Sequence, residues 1–295
     1  MTKTSFIAIV GKPNVGKSSI LNKVLGAKIA IVSSKPQTTR TRIMGVLTVD
    51  ETQLVFTDTP GYHKPHNRLG EYMNNAVGDS IGGTDTVLFV TEPRGELDEK
   101  ELELIDKFKK EKMPVILAIN KIDMIKDKKE LLDRIIYLSS FYDFTAVVPV
   151  SAIEGDGMAD LVDEMKKTAF DSPHFFPDDT LTDQPERVLA AEMIREKILR
   201  LMDKEIPHGI AVSIEKMSER KDKPILDIDA VIYCERETHK GMVIGKNGTM
   251  LKKISTFARQ DLEAFFDVKV NLHTWVKVKE NWRNREGLIH NFGLD

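Results

Sequence analysis

Short apolar runs alternate with helical periods over residues 1–170 of the chain. Runs rich in Val, Ile and Phe recur at 5–10, 53–57, 86–91, 115–120 and 145–151. Each is followed by a turn signal, and most by a helical pattern such as 98–112 or 128–141. Continuous apolar strands spaced by helices predict a mostly parallel sheet with helices on both faces, an α/β fold. Residues 41–49 and 53–56, joined by Asp50-Glu51-Thr52, predict an edge hairpin inside that pattern.

The periodicity stops between Asp171 and Pro185, where three prolines and four aspartates predict a linker over 171–185. Beyond it, Val188, Ala191, Ile194, Ile198 and Leu201 form the apolar stripe of an amphipathic helix over 186–204. Strands are expected at 210–217 and 225–233; the second alternates Ile and Asp, so one face is wet. A short helix at 237–242, a Gly-rich turn and a helix over 249–265 follow. The last strand, 268–279, alternates apolar and polar positions, with Trp275 counted among the apolar ones and one slip near His273. Residues 186–295 therefore read as an α+β domain of order α-β-β-α-α-β.

A length of 295 residues agrees with two domains. Cys234 is the only cysteine, which excludes an internal disulfide and a cysteine-rich zinc site and fits a reducing, cytoplasmic setting. No signal-peptide layout precedes the first apolar run, and no run approaches the ~20 residues of a membrane span. The net charge of -3 is uninformative until it is divided along the chain. Residues 235–285 hold 11 Lys+Arg against 6 Asp+Glu, residues 178–229 hold 9 against 13, and residues 1–177 hold 23 against 25. The C-terminal stretch is basic although the chain is not.

Gly11-Lys-Pro-Asn-Val-Gly16-Lys17-Ser18 fits the phosphate-loop spacing, with a buried strand before it and a helix after it. Two glycines let the backbone N–H groups and the helix N-terminus face phosphate. Lys17 would neutralise the β/γ-phosphates and the Ser18 hydroxyl would ligate Mg²⁺. Asn14, Val15 and Ser19 complete the candidate phosphate contacts. Asp58-Thr-Pro-Gly61 closes a strand where ligands of such sheets sit, so Asp58 can reach the Mg²⁺ shell and the Gly61 N–H the γ-phosphate. Asn120-Lys121-Ile-Asp123 closes another strand, where an Asp carboxylate can accept from both guanine donors, a pair that adenine lacks. Ser151-Ala152 offers a backbone N–H to the guanine O6. The ligands expected are GTP or GDP with Mg²⁺.

With these motifs the chain resembles the translation-factor-related GTPases, and within them the Era family. Pro36-Gln-Thr-Thr-Arg-Thr-Arg-Ile, Asp58-Thr-Pro-Gly-Tyr-His-Lys-Pro and the second domain carry that resemblance over essentially the whole chain. It implies a P-loop GTPase domain over 1–170 followed by a type II KH domain over 186–295. It also implies that Thr39 coordinates Mg²⁺ in the GTP state, with Thr38 and Thr41 as neighbouring alternatives. Lys17, Thr39 and Gly61 would then serve hydrolysis. Tyr62 stands where Ras-like GTPases carry a water-orienting glutamine, so slow intrinsic turnover is expected, and His63 reads as turn structure rather than as a base.

In the second domain Gly245-Lys-Asn-Gly248 joins two helical segments, the GxxG arrangement with which a KH module approaches a sugar-phosphate backbone. Ile244, Gly245, Lys246, Asn247, Gly248 and Lys252 are candidate RNA contacts, as are Lys277, Lys279, Trp282 and Arg283 on the strand end that alternates cations with tryptophans. The resemblance implies binding of the 3′ end of small-subunit rRNA and a role in assembly of the small ribosomal subunit, with GTP-dependent switching, by a protein that is monomeric off the ribosome. Lys252, Lys253 and Arg259 give a faint hint of weak peripheral association with the inner face of the cell membrane. Two rivals are a signalling GTPase that docks a protein through its KH-like domain, and a non-hydrolysing RNA-binding protein that keeps GTP as a structural ligand.

Overall fold

The computed structural model describes residues 1–35, 37–60, 67–73, 83–202 and 209–294. Gly61, Tyr62 and His63 lie outside the described residues. The described residues form two compact units, one within Met1–Ala30, Thr39–Lys64 and Met73–Asp183, the other within Ile31–Thr38, Pro65–Tyr72 and Gln184–Asp295. Two short stretches early in the chain thus belong with the C-terminal unit.

The first unit is a seven-stranded sheet. Its strands are β1 (Lys3–Val10), β2 (Ile43–Val49), β3 (Thr52–Asp58), β4 (Thr86–Thr91), β5 (Val115–Ile119), β6 (Ala146–Pro149) and β7 (Phe170–Asp171). The order is β2-β3-β1-β4-β5-β6, with β7 pairing β1. All neighbours are parallel except the β2/β3 hairpin and the short β1/β7 pair. Every residue of β4 and β5 is buried, as expected of strands covered on both faces. The helices are α1 (Lys17–Leu25), α2 (Glu99–Glu111), α3 (Lys128–Ser139) and α4 (Met158–Lys166). Asp98 and Glu101 form a full capping box that starts α2.

The stretch expected to be a linker is held to this unit from residue 170 onward. Gln53, fully buried, accepts from the Phe175 and Phe176 amides at 2.8 and 3.0 Å and donates to the Phe176 carbonyl at 2.9 Å. Phe175 packs edge-on against Phe6 with ring centres 5.0 Å apart. Further along, the Leu181 carbonyl accepts from the Val46 amide at 2.9 Å. A proline-rich composition marks the loss of regular structure here, and the segment is an ordered strap.

The second unit runs α5 (Glu186–Leu201), β8 (Ile210–Glu219), β9 (Ile225–Cys234), α6 (Glu237–Ile244), α7 (Thr249–Phe266), β10 (Lys269–Val278) and α8 (Glu286–Asn291). Its sheet has order β10-β9-β8, with β8/β9 antiparallel and β9/β10 parallel. Ile194 and Ile198 of α5 and Ile254, Ala258 and Leu262 of α7 share one core with Ile228, Ile232 and Val270 of the sheet. β10 pairs with β9 residue by residue with no slip. Its even-numbered residues face α7, where Thr274 meets Ser255 at 2.8 Å. The apparent slip at His273 came from counting Trp275 as core; Trp275 is on the open face, 48% exposed and stacked on His273. Cys234 is buried, and burial pushes its thiol up to about 12.

Candidate nucleotide site and RNA-binding face

All four nucleotide motifs stand at C-terminal strand ends of the first unit: residues 11–18 after β1, Asp58 at the end of β3, Asn120 after β5 and Ser151 after β6. This is the edge where open α/β sheets bind ligands. Gly11 and Gly16 are glycines for steric reasons. A Cβ on Gly11 would lie 2.3 Å from the Val90 carbonyl oxygen, and one on Gly16 would lie 2.1 Å from Asn120 Nδ2. Gly16 is the N-cap of α1 and leaves the first-turn N–H groups without a side-chain cap, open to phosphate.

Lys17 is 6% exposed and arches over the loop, its Nζ donating to the Gly11 and Lys12 carbonyls at 3.0 and 3.1 Å. Burial lowers its pKa to about 8, and Asp58 opposes that shift. Burial likewise raises Asp58 to about 6, against the Lys17 charge and the hydrogen bonds from Ser18 and Thr59. Ser18 Oγ donates to Asp58 Oδ2 at 2.6 Å and lies 3.0 Å from Thr39 Oγ1. Asp58 Oδ1 is buried with no partner. An orphaned carboxylate oxygen beside two hydroxyls is the hard-oxygen donor set that suits Mg²⁺, which characteristically takes one or two carboxylates plus phosphate oxygens. Among the described residues no group of three His, Cys, Asp or Glu could hold a metal without such help.

Two of the three candidate threonines separate here. Thr39 meets Ser18, whereas Thr38 Oγ1 turns away to the Lys35 carbonyl at 2.6 Å and Ser33 Oγ at 2.7 Å.

Asn120 braces the other end of the candidate site. Nearly buried, it donates to the Val15 carbonyl at 2.8 Å and accepts from the Ala152 amide at 3.1 Å, joining the phosphate loop to the 151–152 turn. Val15 is fully buried and contributes its backbone. Lys121 takes a left-handed conformation (φ 68°) and pairs with Glu92. Asp123 is exposed, and Ser151 Oγ orients it at 2.6 Å. One group escaped the sequence reading. Glu101, 2% exposed, pairs with Lys12 at 3.0 Å and so ties the phosphate loop to α2. The acidic residue of the capping box was its only signal.

In the second unit Gly245 to Gly248 form a tight turn between α6 and α7. Lys246 and Asn247 are exposed and Ile244 is half-buried, as a phosphate-approaching loop requires; Lys252 is exposed on α7. Trp282 does not fit its expected role. It is fully buried, donates its indole N–H to the Gly209 carbonyl at 3.0 Å and packs against Phe292, so its ring cannot stack on a base. Arg283 is half-buried and paired with Glu235. Lys277 is exposed beside Trp275 and His273 on the sheet face away from α7, and Lys279 follows β10. The expected RNA contacts are thus divided between the helix-loop side and the open sheet face.

The fold and these sites define a P-loop GTPase domain joined to a KH domain. Residues 6–121 match the family described as 50S ribosome-binding GTPase, and residues 205–283 match the KH domain family. The chain is 50% identical over 295 residues to GTPase Era of Clostridioides difficile, covering 100% of this chain and 99% of that one. It is 46% identical to GTPase Era of Ruminiclostridium cellulolyticum, over 99% of this chain and 97% of that one. Similar solved structures include an Aquifex aeolicus Era variant bound to GDP and AlF4⁻, at TM-score 0.95 and 38% identity, covering 99% of each chain. Another is Era in complex with MgGDPNP and nucleotides 1506–1542 of 16S ribosomal RNA, at TM-score 0.95 and 38% identity, covering 100% of this chain and 99% of that one. The chain belongs to the Era GTPase family.

Proposed function

We propose that this protein binds GTP with Mg²⁺, hydrolyses it to GDP and phosphate, and binds the 3′ end of small-subunit rRNA through its KH domain during assembly of the small ribosomal subunit. The observation that carries the enzymatic half is the convergence of Ser18, Thr39 and the unpaired Asp58 oxygen beside Lys17. Those three residues would hold Mg²⁺, which when bound offsets charge on the β- and γ-phosphate oxygens. Lys17 leaves the loop carbonyls for phosphate, and Asp123, oriented by Ser151, accepts from the guanine base. Gly61 supplies a backbone N–H to the γ-phosphate in this reading.

The RNA-binding half is supported by the GxxG turn with exposed Lys246 and Asn247, and by the related Era that was solved with a 16S rRNA fragment. The protein would act in the cytoplasm and be monomeric off the ribosome. No described helix is long and apolar enough to cross a membrane. Of the basic α7 residues that could favour an anionic membrane surface, Arg259 is engaged by Glu263 at 3.1 Å, so RNA is the ligand proposed for this face. Turnover of GTP by the wild type, and its loss in Lys17→Ala, is the expected result; equal turnover by both proteins would refute the catalytic reading.

A further inference from the structure

The middle of α5 is buried around its whole circumference, residues 193–199 without a break. One side meets the sheet through Ile194 and Ile198. Another, polar side meets Val32 and Thr38 of the stretch that leads into Thr39. Glu196, fully buried, accepts from the Val32 amide at 2.9 Å. Arg200, one turn on, donates to the Val32 carbonyl through Nε at 3.0 Å and Nη2 at 2.9 Å, and to Glu196 at 3.0 Å. Val32 is therefore held by both backbone groups, as a neighbouring strand would hold it. Lys197 balances the Glu196 charge at 3.0 Å and reaches Asp261 on α7. At the other end of the segment Arg195, itself anchored by Glu192, donates to the Thr38 carbonyl.

These bonds lie within the second unit, and the next residue in the chain is Thr39. The Thr38 carbonyl shares one rigid peptide plane with the Thr39 amide, so a donor fixed on the first orients the second. Irregular backbone ordinarily satisfies its groups with water; here three of them are held by charged side chains of a single helix. Thr39 Oγ1 stands 3.0 Å from Ser18 Oγ.

We infer that Arg195, Glu196 and Arg200 are positioning residues for GTP hydrolysis. By gripping the Val32 backbone and the Thr38 carbonyl they set where Thr39 stands at the metal-binding oxygens, and through the same bonds the nucleotide state is felt by the first helix of the KH domain. This rests on the GTPase reading above. Any bond that favours one placement of Thr39 must, by linkage, be favoured in return when Mg²⁺ and GTP hold that placement.

Arg200→Ala is the variant of choice because that side chain is 50% exposed and its loss leaves the core of the helix intact. Arg195→Ala is the stronger variant, and Arg200→Lys is the conservative control. Single-turnover GTP hydrolysis is followed across a Mg²⁺ titration, and GDP affinity is measured in the absence of Mg²⁺. For Arg200→Ala the rate should fall, and the half-saturating Mg²⁺ concentration rise, by about three- to tenfold. GDP affinity without Mg²⁺ should stay within about twofold, and Arg200→Lys should recover part of the loss. An unchanged Mg²⁺ dependence in Arg200→Ala overturns the inference, as does an equal weakening of GDP binding without Mg²⁺, which would mark a purely structural role. Should Arg195→Ala fail to fold, Arg200→Ala carries the test alone. Absence of turnover in the wild type would instead refute the GTPase reading on which the inference rests.

Discussion

Replacing Asn120 by Ala removes the side chain that links the phosphate loop to the turn at Ser151 and Ala152. Two hydrogen bonds go, one to the Val15 carbonyl at 2.8 Å and one from the Ala152 amide at 3.1 Å. The site is 2% exposed, so water cannot freely replace them. Each lost bond is worth about 1 kcal/mol, and each stranded buried partner costs about 1–3 kcal/mol, which makes a net loss of about 2–4 kcal/mol reasonable once the site relaxes. If the loss falls on the nucleotide complex, GDP binds about 30- to 1,000-fold more weakly. If it falls on the unliganded fold, the melting temperature drops by about 4–16 °C. Titration with a fluorescent GDP and a thermal melt of the unliganded protein divide the loss between the two. Asn120→Asp keeps the acceptor for Ala152 but sets a carboxylate oxygen against the Val15 carbonyl, and should lose more than Ala. A change below about twofold in affinity together with an unshifted melt would refute the bracing role.

The two glycines of the KH turn are unequal. A side chain on Gly245 would meet Met250 Cβ at 2.7 Å, whereas Gly248 (φ +74°) has open space and only backbone strain of about 1 kcal/mol to bear. Gly248→Asp should therefore stay folded, keep GTP turnover, and weaken salt-dependent binding to single-stranded RNA by about tenfold or more; undiminished binding would count against the loop as the RNA contact. Trp282→Phe removes the donor to Gly209 and should cost about 1–2 kcal/mol in a denaturant melt, with RNA affinity within about twofold; a large affinity loss at normal stability would restore a stacking role. His174 pairs with Asp178, and that hydrogen bond raises its pKa above the ordinary 6.5. A folded value above the unfolded one contributes stability that is full below the unfolded pKa and is lost as pH rises through the folded one. Protection of the Phe175 and Phe176 amides in hydrogen exchange, corrected for intrinsic rate, should thus fall as pH rises from the ordinary histidine value of 6.5 through the raised folded one, and be flat in His174→Ala; a flat profile in the wild type would contradict it.

The placement of the nucleotide motifs was legible in the sequence because they sit at strand ends with fixed local spacing. Residues 11–18 need only a strand before and a helix after, and the hairpin leading to Asp58 follows from alternation around one turn. What stayed hidden is held by partners distant in sequence. Gln53 ties down the 175–176 stretch from more than a hundred residues away, and composition alone reads that stretch as a linker. Glu196 and Arg195 look like the wet face of an amphipathic helix, since nothing local reveals that the backbones of Val32 and Thr38 meet them. The two tryptophans exchange their expected surroundings for a geometric reason. Trp275 shares the odd-numbered face of β10 with His273, while the left-handed Asn281 (φ 51°) redirects the chain after the strand and places Trp282 in the core.

The central claim, that one chain couples its GTP state to RNA held by its KH domain, is tested most directly by a single comparison. Affinity for a labelled 3′-terminal fragment of small-subunit rRNA is measured with Mg²⁺ and a non-hydrolysable GTP analogue, and again with GDP, at one fixed salt concentration. The grip of α5 on the segment before Thr39 predicts binding tighter by about fivefold or more in the presence of the analogue. Equal affinity in the two states would contradict the account, because a ligand without differential affinity cannot shift the protein between states.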